Sequence, residues 1–256
     1  MSKTIDQNYF QLTKWKCMPK DAVRDAVKDI LSVARVKLNT PINNLKVLDV
    51  GCGAGSYCFG IEKHVRKVVG VEPYKAAYEQ SLINKKRFDS KAIFVNKTIE
   101  DFRSKEKFDL VLSLTTIEHM PHAEKSFKQI FSLLKKGGIT YLTAPNKWWP
   151  MENHYGLLFL SWLPLNIANF YVKLFGRGES YVDSAYSKSY FGMKEFFDKF
   201  KCKYYFRLPD KNSNYVGIAN KSSFYKALKN FGIDLIRILP IFWIFSKGFI
   251  MVIKKE

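Results

Sequence analysis

Eleven residues constrain this chain more than any others: Val47-Leu48-Asp49-Val50-Gly51-Cys52-Gly53-Ala54-Gly55-Ser56-Tyr57. An apolar run carrying one acid breaks into three alternate glycines, and a helix-like segment follows. The pattern predicts a buried strand, a tight turn and a helix N-terminus. Glycine reaches positive φ without a Cβ penalty and leaves bare backbone for a ligand to approach. A dinucleotide loop of the G-x-G-x-x-G type asks for glycine or alanine at position 56, where this chain has serine, which weakens the case for a pyrophosphate at the turn.

Strand and helix signals alternate on either side of it. Val23, Val27, Ile30, Leu31, Ala34 and Leu38 fall at three-to-four spacing, an amphipathic helix that Thr40-Pro41 ends. Helix is expected over Tyr57–His64 and Tyr74–Phe88, and strand over 67–72, Ala92–Asn96 and Phe108–Leu114. Ala123–Lys136 reads as a helix stopped by Gly137-Gly138, with Ile139–Ala144 the next strand. After Asn146 the rhythm breaks into an aromatic- and proline-rich stretch up to Tyr190, too long for an ordinary loop and read as an inserted cap. Helix at Gly192–Phe200, strand at Cys202–Arg207, a turn at Asp210–Ser213, helix at Ser222–Phe231 and strand at Gly248–Lys254 complete the chain. Such alternation argues for an α/β fold, a parallel sheet with helices on both faces.

The second anchor is Glu72, which closes the second strand 23 residues after Asp49. An acid there can accept both ribose hydroxyls of a nucleoside held against the glycine turn, or it can cap the next helix. Pro73 and Tyr74 follow and offer faces for an adenine. NAD enzymes place an acid similarly, so turn and acid together leave the cofactor open.

Resemblance narrows it. Val47–Gly55 looks like motif I of class I S-adenosylmethionine-dependent methyltransferases. Phe108-Asp109-Leu110-Val111-Leu112-Ser113-Leu114-Thr115-Thr116-Ile117-Glu118-His119-Met120 resembles the element that follows their fourth strand. Phe127–Gly138 and Thr143–Asn146 match the helix end and strand that come next, so the resemblance covers residues 45–146 in order. It implies a Rossmann-like, doubly wound, seven-stranded sheet whose last strand is antiparallel. It also implies a division into an N-terminal helical segment (1–44), a cofactor core (45–146), an inserted substrate cap (147–190) and a C-terminal part of the sheet (191–256). The implied cofactor is S-adenosyl-L-methionine, with S-adenosyl-L-homocysteine as product. Asp49, Gly51, Cys52, Gly53, Glu72, Pro73, Tyr74 and Leu114 would hold it, with Thr98 or the backbone at Ile99 at the adenine edge, where the family often has aspartate. The detailed likeness is to ubiquinone-pathway O-methyltransferases and to methyltransferases of polysaccharide clusters. Ubiquinone-type members carry a further acid associated with a divalent metal; Thr115 or Thr116 stands there, so no metal is expected.

In-line methyl transfer to oxygen needs aligned reactants and often a base. His119, in the Glu-His pair, and His154, in the cap, are the candidates; either can equally be a structural histidine. Forty-two Lys and Arg against 23 Asp and Glu give +19, and residues 194–256 alone carry thirteen basic and five acidic groups. That surface suits an anionic membrane, a phosphorylated acceptor or nucleic acid, or serves solubility alone. Leu157–Phe175 and Ile233–Ile253 are apolar but interrupted, so lying on a membrane is compatible and spanning one is not. Four cysteines without metal or C-x-x-C spacing, and no apolar signal core before Lys20, fit a reducing cytoplasm.

The leading expectation is therefore O-methylation of a small-molecule, glycan or lipid-linked acceptor. An RNA methyltransferase is the enzymatic alternative, opposed by the absence of an Asn-Pro-Pro-Tyr-type element after the fourth strand. A non-catalytic module binding the nucleoside or a lipid is the alternative of another class.

Overall fold

The computed structural model describes residues 17–211 and 223–256. Seven strands form one sheet: β1 (Lys46–Val50), β2 (Lys67–Val71), β3 (Ile93–Val95), β4 (Phe108–Leu114), β5 (Leu134–Pro145), β6 (Cys202–Arg207) and β7 (Gly248–Lys255). Their order is β3-β2-β1-β4-β5-β7-β6, with β7 antiparallel to both of its neighbours. The α-helices among the described residues are α1 (Lys20–Lys37), α2 (Ser56–Ile61), α3 (Lys75–Arg87), α4 (Ala123–Leu133), α5 (Leu165–Leu174), α6 (Tyr190–Asp198) and α7 (Ser223–Ile238). The doubly wound sheet with an antiparallel last strand is thus as expected.

Strand residues supply two cores in alternation, because successive side chains leave opposite faces of a pleated strand. Val47, Val68, Leu110, Leu112 and Tyr141 pack with Ala26, Ile30 and Ala34 of α1 and with Cys58 and Ile61 of α2. Their neighbours Leu48, Val69, Val111 and Leu142 pack with Phe127 and Ile130 of α4 and with Met193, Phe196 and Phe197 of α6. A third, smaller cluster lies within the stretch after β5: Tyr155, Leu157, Leu160, Ala168, Val172 and Tyr181.

Boundaries differ from expectation in places: α7 runs to Ile238, seven residues past the expected end at Phe231, and α2 stops at Ile61, before the expected His64. The helix before Gly137-Gly138 ends at Leu133, and the glycines lie inside β5. Leu134 pairs with Phe108 and Ile139 with Leu110, so the extra residues of β5 are taken up in a bulge where Gly137 has φ 75°. The glycine pair is strand irregularity here, not a helix stop. The expected turn at Asp210–Ser213 lies partly outside the described residues.

The chain visits β1, β2 and β3 on one side, then returns past β1 to β4 on the other. The carboxyl ends of β1 and β4 therefore flank the topological switch point, where open α/β sheets bind their ligands.

Candidate functional site

At the end of β1 the backbone enters the left-handed region three times, at Gly51 (φ 70°), Gly53 (φ 53°) and Gly55 (φ 87°). Gly51 is required twice over. A Cβ there would stand 2.5 Å from Thr116 Cγ2, so the turn at β1 packs against the loop that leaves β4. Its N–H donates to Val71 O at 2.8 Å, which locks the turn to β2.

Glu72 sits buried at the tip of β2. It accepts from Gly53 N–H through one carboxylate oxygen and from Tyr74 N–H through the other, both at 2.8 Å. Burial raises its carboxyl above the usual range, partly offset by these two donors. Asn96 Nδ2 donates to the carbonyls of Glu72 and Pro73 and so fixes the strand end. Asp49 is buried beneath the turn, where desolvation lifts its carboxyl to about 7 and the Cys58 thiol donates to it at 3.3 Å. Cys52 is also buried, and all four cysteines are free.

Asp49, Gly51, Cys52, Gly53, Glu72 and Tyr74 thus come together around one turn. Pro73 is exposed beside them. Thr98 spends its hydroxyl proton on Asp101 (2.9 Å), and Ile99 buries its side chain in the core. At the end of β4, the Leu114 carbonyl accepts from the hydroxyls of Thr115 and Thr116 at 2.7 and 3.2 Å. Thr115 has φ 52°, a strained conformation for a β-branched residue at the mouth of the switch point.

The loop after Thr116 carries the ionisable cluster. Glu118 is fully buried, and neither carboxylate oxygen has a hydrogen-bond partner among the described residues. Burial pushes it up to about 7, with His154 opposing the shift. His119 Nδ1 lies 2.6 Å from the Asp183 carbonyl, which makes Nδ1 the protonated nitrogen of a neutral ring. Desolvation lowers this imidazole to about 4. His154 reaches in from the stretch after β5, its ring 4.9 Å from that of His119 at 77°. Its Nδ1 faces Glu152 Oε1 at 2.8 Å, and its Nε2 is 4.0 Å from Glu118. The two carboxylates outweigh burial, so His154 is more basic than an ordinary imidazole.

His119 and His154, 35 positions apart in sequence, are therefore neighbours. Sequence reasoning missed Glu152, which orients His154 and also accepts from the backbone N–H groups of His154 and Tyr155. Its position two residues before a candidate histidine was the available signal. It also missed Asp183, which acts through a main-chain carbonyl and leaves no side-chain signature. Asn146, at the end of β5, proves to be an anchor: its buried amide donates to Ile244 and Ser246 carbonyls at 2.8 Å each.

A family model for a methyltransferase domain matches residues 42–173, just over half of the chain. This chain belongs to that methyltransferase family. Ubiquinone biosynthesis O-methyltransferase of Pelagibacter ubique is 31% identical over 107 residues, 42% of this chain and 45% of that protein. The chain spans about half the length of the curated relatives it matches. Among solved structures, the plantazolicin methyltransferase BpumL in complex with SAH superposes with a TM-score of 0.59 at 16% identity, covering 98% of this chain and 88% of that one. The cyclase SpnF superposes at 0.56 with 13% identity over 90% of this chain and 80% of its own. Likeness at that level establishes the fold.

Proposed function

We propose that this protein transfers a methyl group from S-adenosylmethionine to an oxygen of a small-molecule or lipid-linked glycan acceptor. What supports the reading is a glycine turn bonded to a buried acid at the switch point, packed on Thr116 of the loop that leads on to Glu118 and His119, beside which lies a histidine oriented by a carboxylate. Each oxygen of Glu72 accepts one backbone N–H and keeps lone-pair capacity for a ribose hydroxyl, so the residues present fit the nucleoside. The turn at Gly51–Gly53, the acid at Glu72 and the loops at Leu114 and Thr98–Ile99 would hold it. When bound, S-adenosylmethionine supplies an electrophilic methyl group on a sulfonium sulfur. His154 would take the acceptor proton on Nε2, with Glu152 holding its Nδ1–H and, together with Glu118, raising its basicity. His119, neutral and held by the Asp183 carbonyl, would shape the wall beside it.

Residues 147–190 would then cover the acceptor. Trp148, Phe159, Trp162, Phe170 and Leu174 are all more than 40% exposed there, and the chain carries +19. Apolar side chains on a strongly basic protein suit an anionic bilayer on which a lipid-linked acceptor is presented, at the inner face of the membrane. Among the described residues no helix is long and apolar enough to cross one.

A second reading has a specific observation in its favour. Ligand atoms of Glu118, His119 and His154 lie within 4.8 Å of one another. Each histidine directs its other nitrogen to a carbonyl or a carboxylate, the arrangement that fixes metal-binding imidazoles. A divalent cation could stand at this cluster, despite threonine at positions 115 and 116. A thermal shift with added divalent ions that His119→Ala and His154→Ala abolish selects this reading; a shift unaffected by them sinks it.

Calorimetry with S-adenosylmethionine and S-adenosylhomocysteine tests the main proposal, and absence of binding removes it. With binding established, His154→Gln should reduce methyl transfer by about 10²–10⁴-fold at unchanged S-adenosylhomocysteine affinity. Label from the cofactor appearing in RNA, with steep salt dependence, selects the nucleic-acid alternative. Binding without transfer to any pool selects the non-catalytic module.

A further inference from the structure

Beside the loop that carries Glu118 and His119 lies an open cleft of about 850 Å³ that none of the chemistry above uses. Five lysines line it, Lys125, Lys128, Lys147, Lys188 and Lys199, against two glutamates, Glu124 and Glu195. Lys199 is paired with Glu124 at 2.6 Å. The other four have no carboxylate within ion-pair distance among the described residues. Lys188, like Lys147, is half-buried; its ammonium lies 4.9 Å from the centre of the Phe196 ring, and burial and the Lys199 charge make it easier to deprotonate than an ordinary lysine, against the opposing pull of Glu124 and Glu195. Five lysines against two glutamates leave the cleft with a net positive charge, which an anion bound there would offset.

Three further facts say where such an anion would stand. The N-terminal turns of α4 and α6 both line the cleft, through His122 and Ala123 and through Ser189 and Gly192, and helix N-termini favour negative charge. The wall is tied to the reaction centre through the backbone: Tyr186 N–H donates to the Glu118 carbonyl at 3.2 Å, and Lys147 N–H to the Lys188 carbonyl at 3.1 Å. Met120, Pro121 and His122 continue directly from Glu118-His119 into the cleft.

We propose that this cleft binds a phosphoryl or pyrophosphoryl group of the methyl acceptor, placing the acceptor's oxygen toward the Glu118–His154 cluster. The proposal rests on the methyltransferase reading for the identity of its ligand as an acceptor, but anion binding can be measured without it. The probe is inorganic pyrophosphate, titrated calorimetrically into the full chain at two salt concentrations. Wild-type protein should bind it, more weakly at higher salt, and Lys147→Ala/Lys188→Ala should weaken it at least tenfold. Lys188→Arg should restore binding, and Lys85→Ala/Lys86→Ala, on α3 and outside the cleft, should leave it unchanged. Equal loss in the two double variants means diffuse surface charge and overturns the site, as does absence of binding in the wild type. S-adenosylhomocysteine titrated into the same samples keeps the readings apart: its binding to the Lys147→Ala/Lys188→Ala variant shows an intact fold. Pyrophosphate binding without S-adenosylhomocysteine binding leaves the cleft standing while removing the methyltransferase reading. Displacement of pyrophosphate by phosphatidylglycerol vesicles identifies a lipid headgroup as the source of the phosphate. Displacement by a soluble sugar diphosphate but not by vesicles identifies a soluble acceptor. Both support the cleft.

Discussion

Two residues at the end of the first strand, Asp49 and Gly51, make the sharpest residue-scale predictions. Asp49 has a folded-state pKa of about 7 against 3.8 for an ordinary aspartate, so the folded chain binds its proton more tightly than the unfolded chain. Its contribution to stability is then present below pH 4 and lost as pH rises toward 7. Glu118, lifted to about 7 by burial, works in the same direction, whereas His119, lowered to about 4, loses stability as pH falls below 6.5. Asp49→Asn should therefore flatten the fall of melting temperature between pH 5 and 7.5 without abolishing it; an unchanged slope refutes the assignment. Gly51→Ala meets both a left-handed backbone and Thr116 Cγ2, and should cost about 2–4 kcal/mol in denaturant unfolding. Thr116→Ser removes the blocking methyl, so the double variant should recover all but about 1 kcal/mol of strain. The glycines and Asp49 were legible in the sequence as a turn over an acid. That Thr116 is what forbids a Cβ at Gly51 was not, because the two residues are 65 positions apart.

At the scale of elements, β-strands with apolar residues in succession announce burial on both faces, and here they pack α1 and α2 on one side and α4 and α6 on the other. On the α1 side a polar tie is added to this apolar packing. Asp29 of α1 accepts from Arg207 of β6 at 2.6 Å and from the Tyr141 hydroxyl of β5 at 2.6 Å. Asp29→Ala leaves a buried hydroxyl and a guanidinium without their acceptor, and should cost about 1–3 kcal/mol and lower the melting temperature by several degrees. An unchanged melting temperature shows the tie to be slack. Nothing around Asp29 in sequence marked it, since its partners stand 112 and 178 positions away. The helix end before Gly137-Gly138 was misjudged for a related reason. Glycine reads as a helix stop locally, but the pairing of Leu134 with Phe108 drew the chain into the sheet three residues earlier.

For the whole molecule, charge and exposed apolar surface combine. Vesicles of phosphatidylglycerol should sediment the protein at low salt and release it progressively as salt rises, while neutral vesicles should retain little of it. Phe170→Glu together with Leu174→Glu, on exposed positions of α5, should lower the retained fraction at least tenfold. Equal retention by the variant removes the bilayer from the proposal. The sequence by itself determined the alternating architecture, the glycine turn, the acid at Glu72 and the family, because each depends on local periodicity or on residues adjacent in the chain. Tertiary structure alone decided which ionisable groups meet. Glu118 and His119 leave β4, Glu152 and His154 arrive from the stretch after β5, and Asp183 closes the ring with a main-chain carbonyl. The glycine turn names one side of the switch point. Its other side is assembled from segments whose approach is set by the order of strands in the sheet, a quantity that no short window of residues encodes.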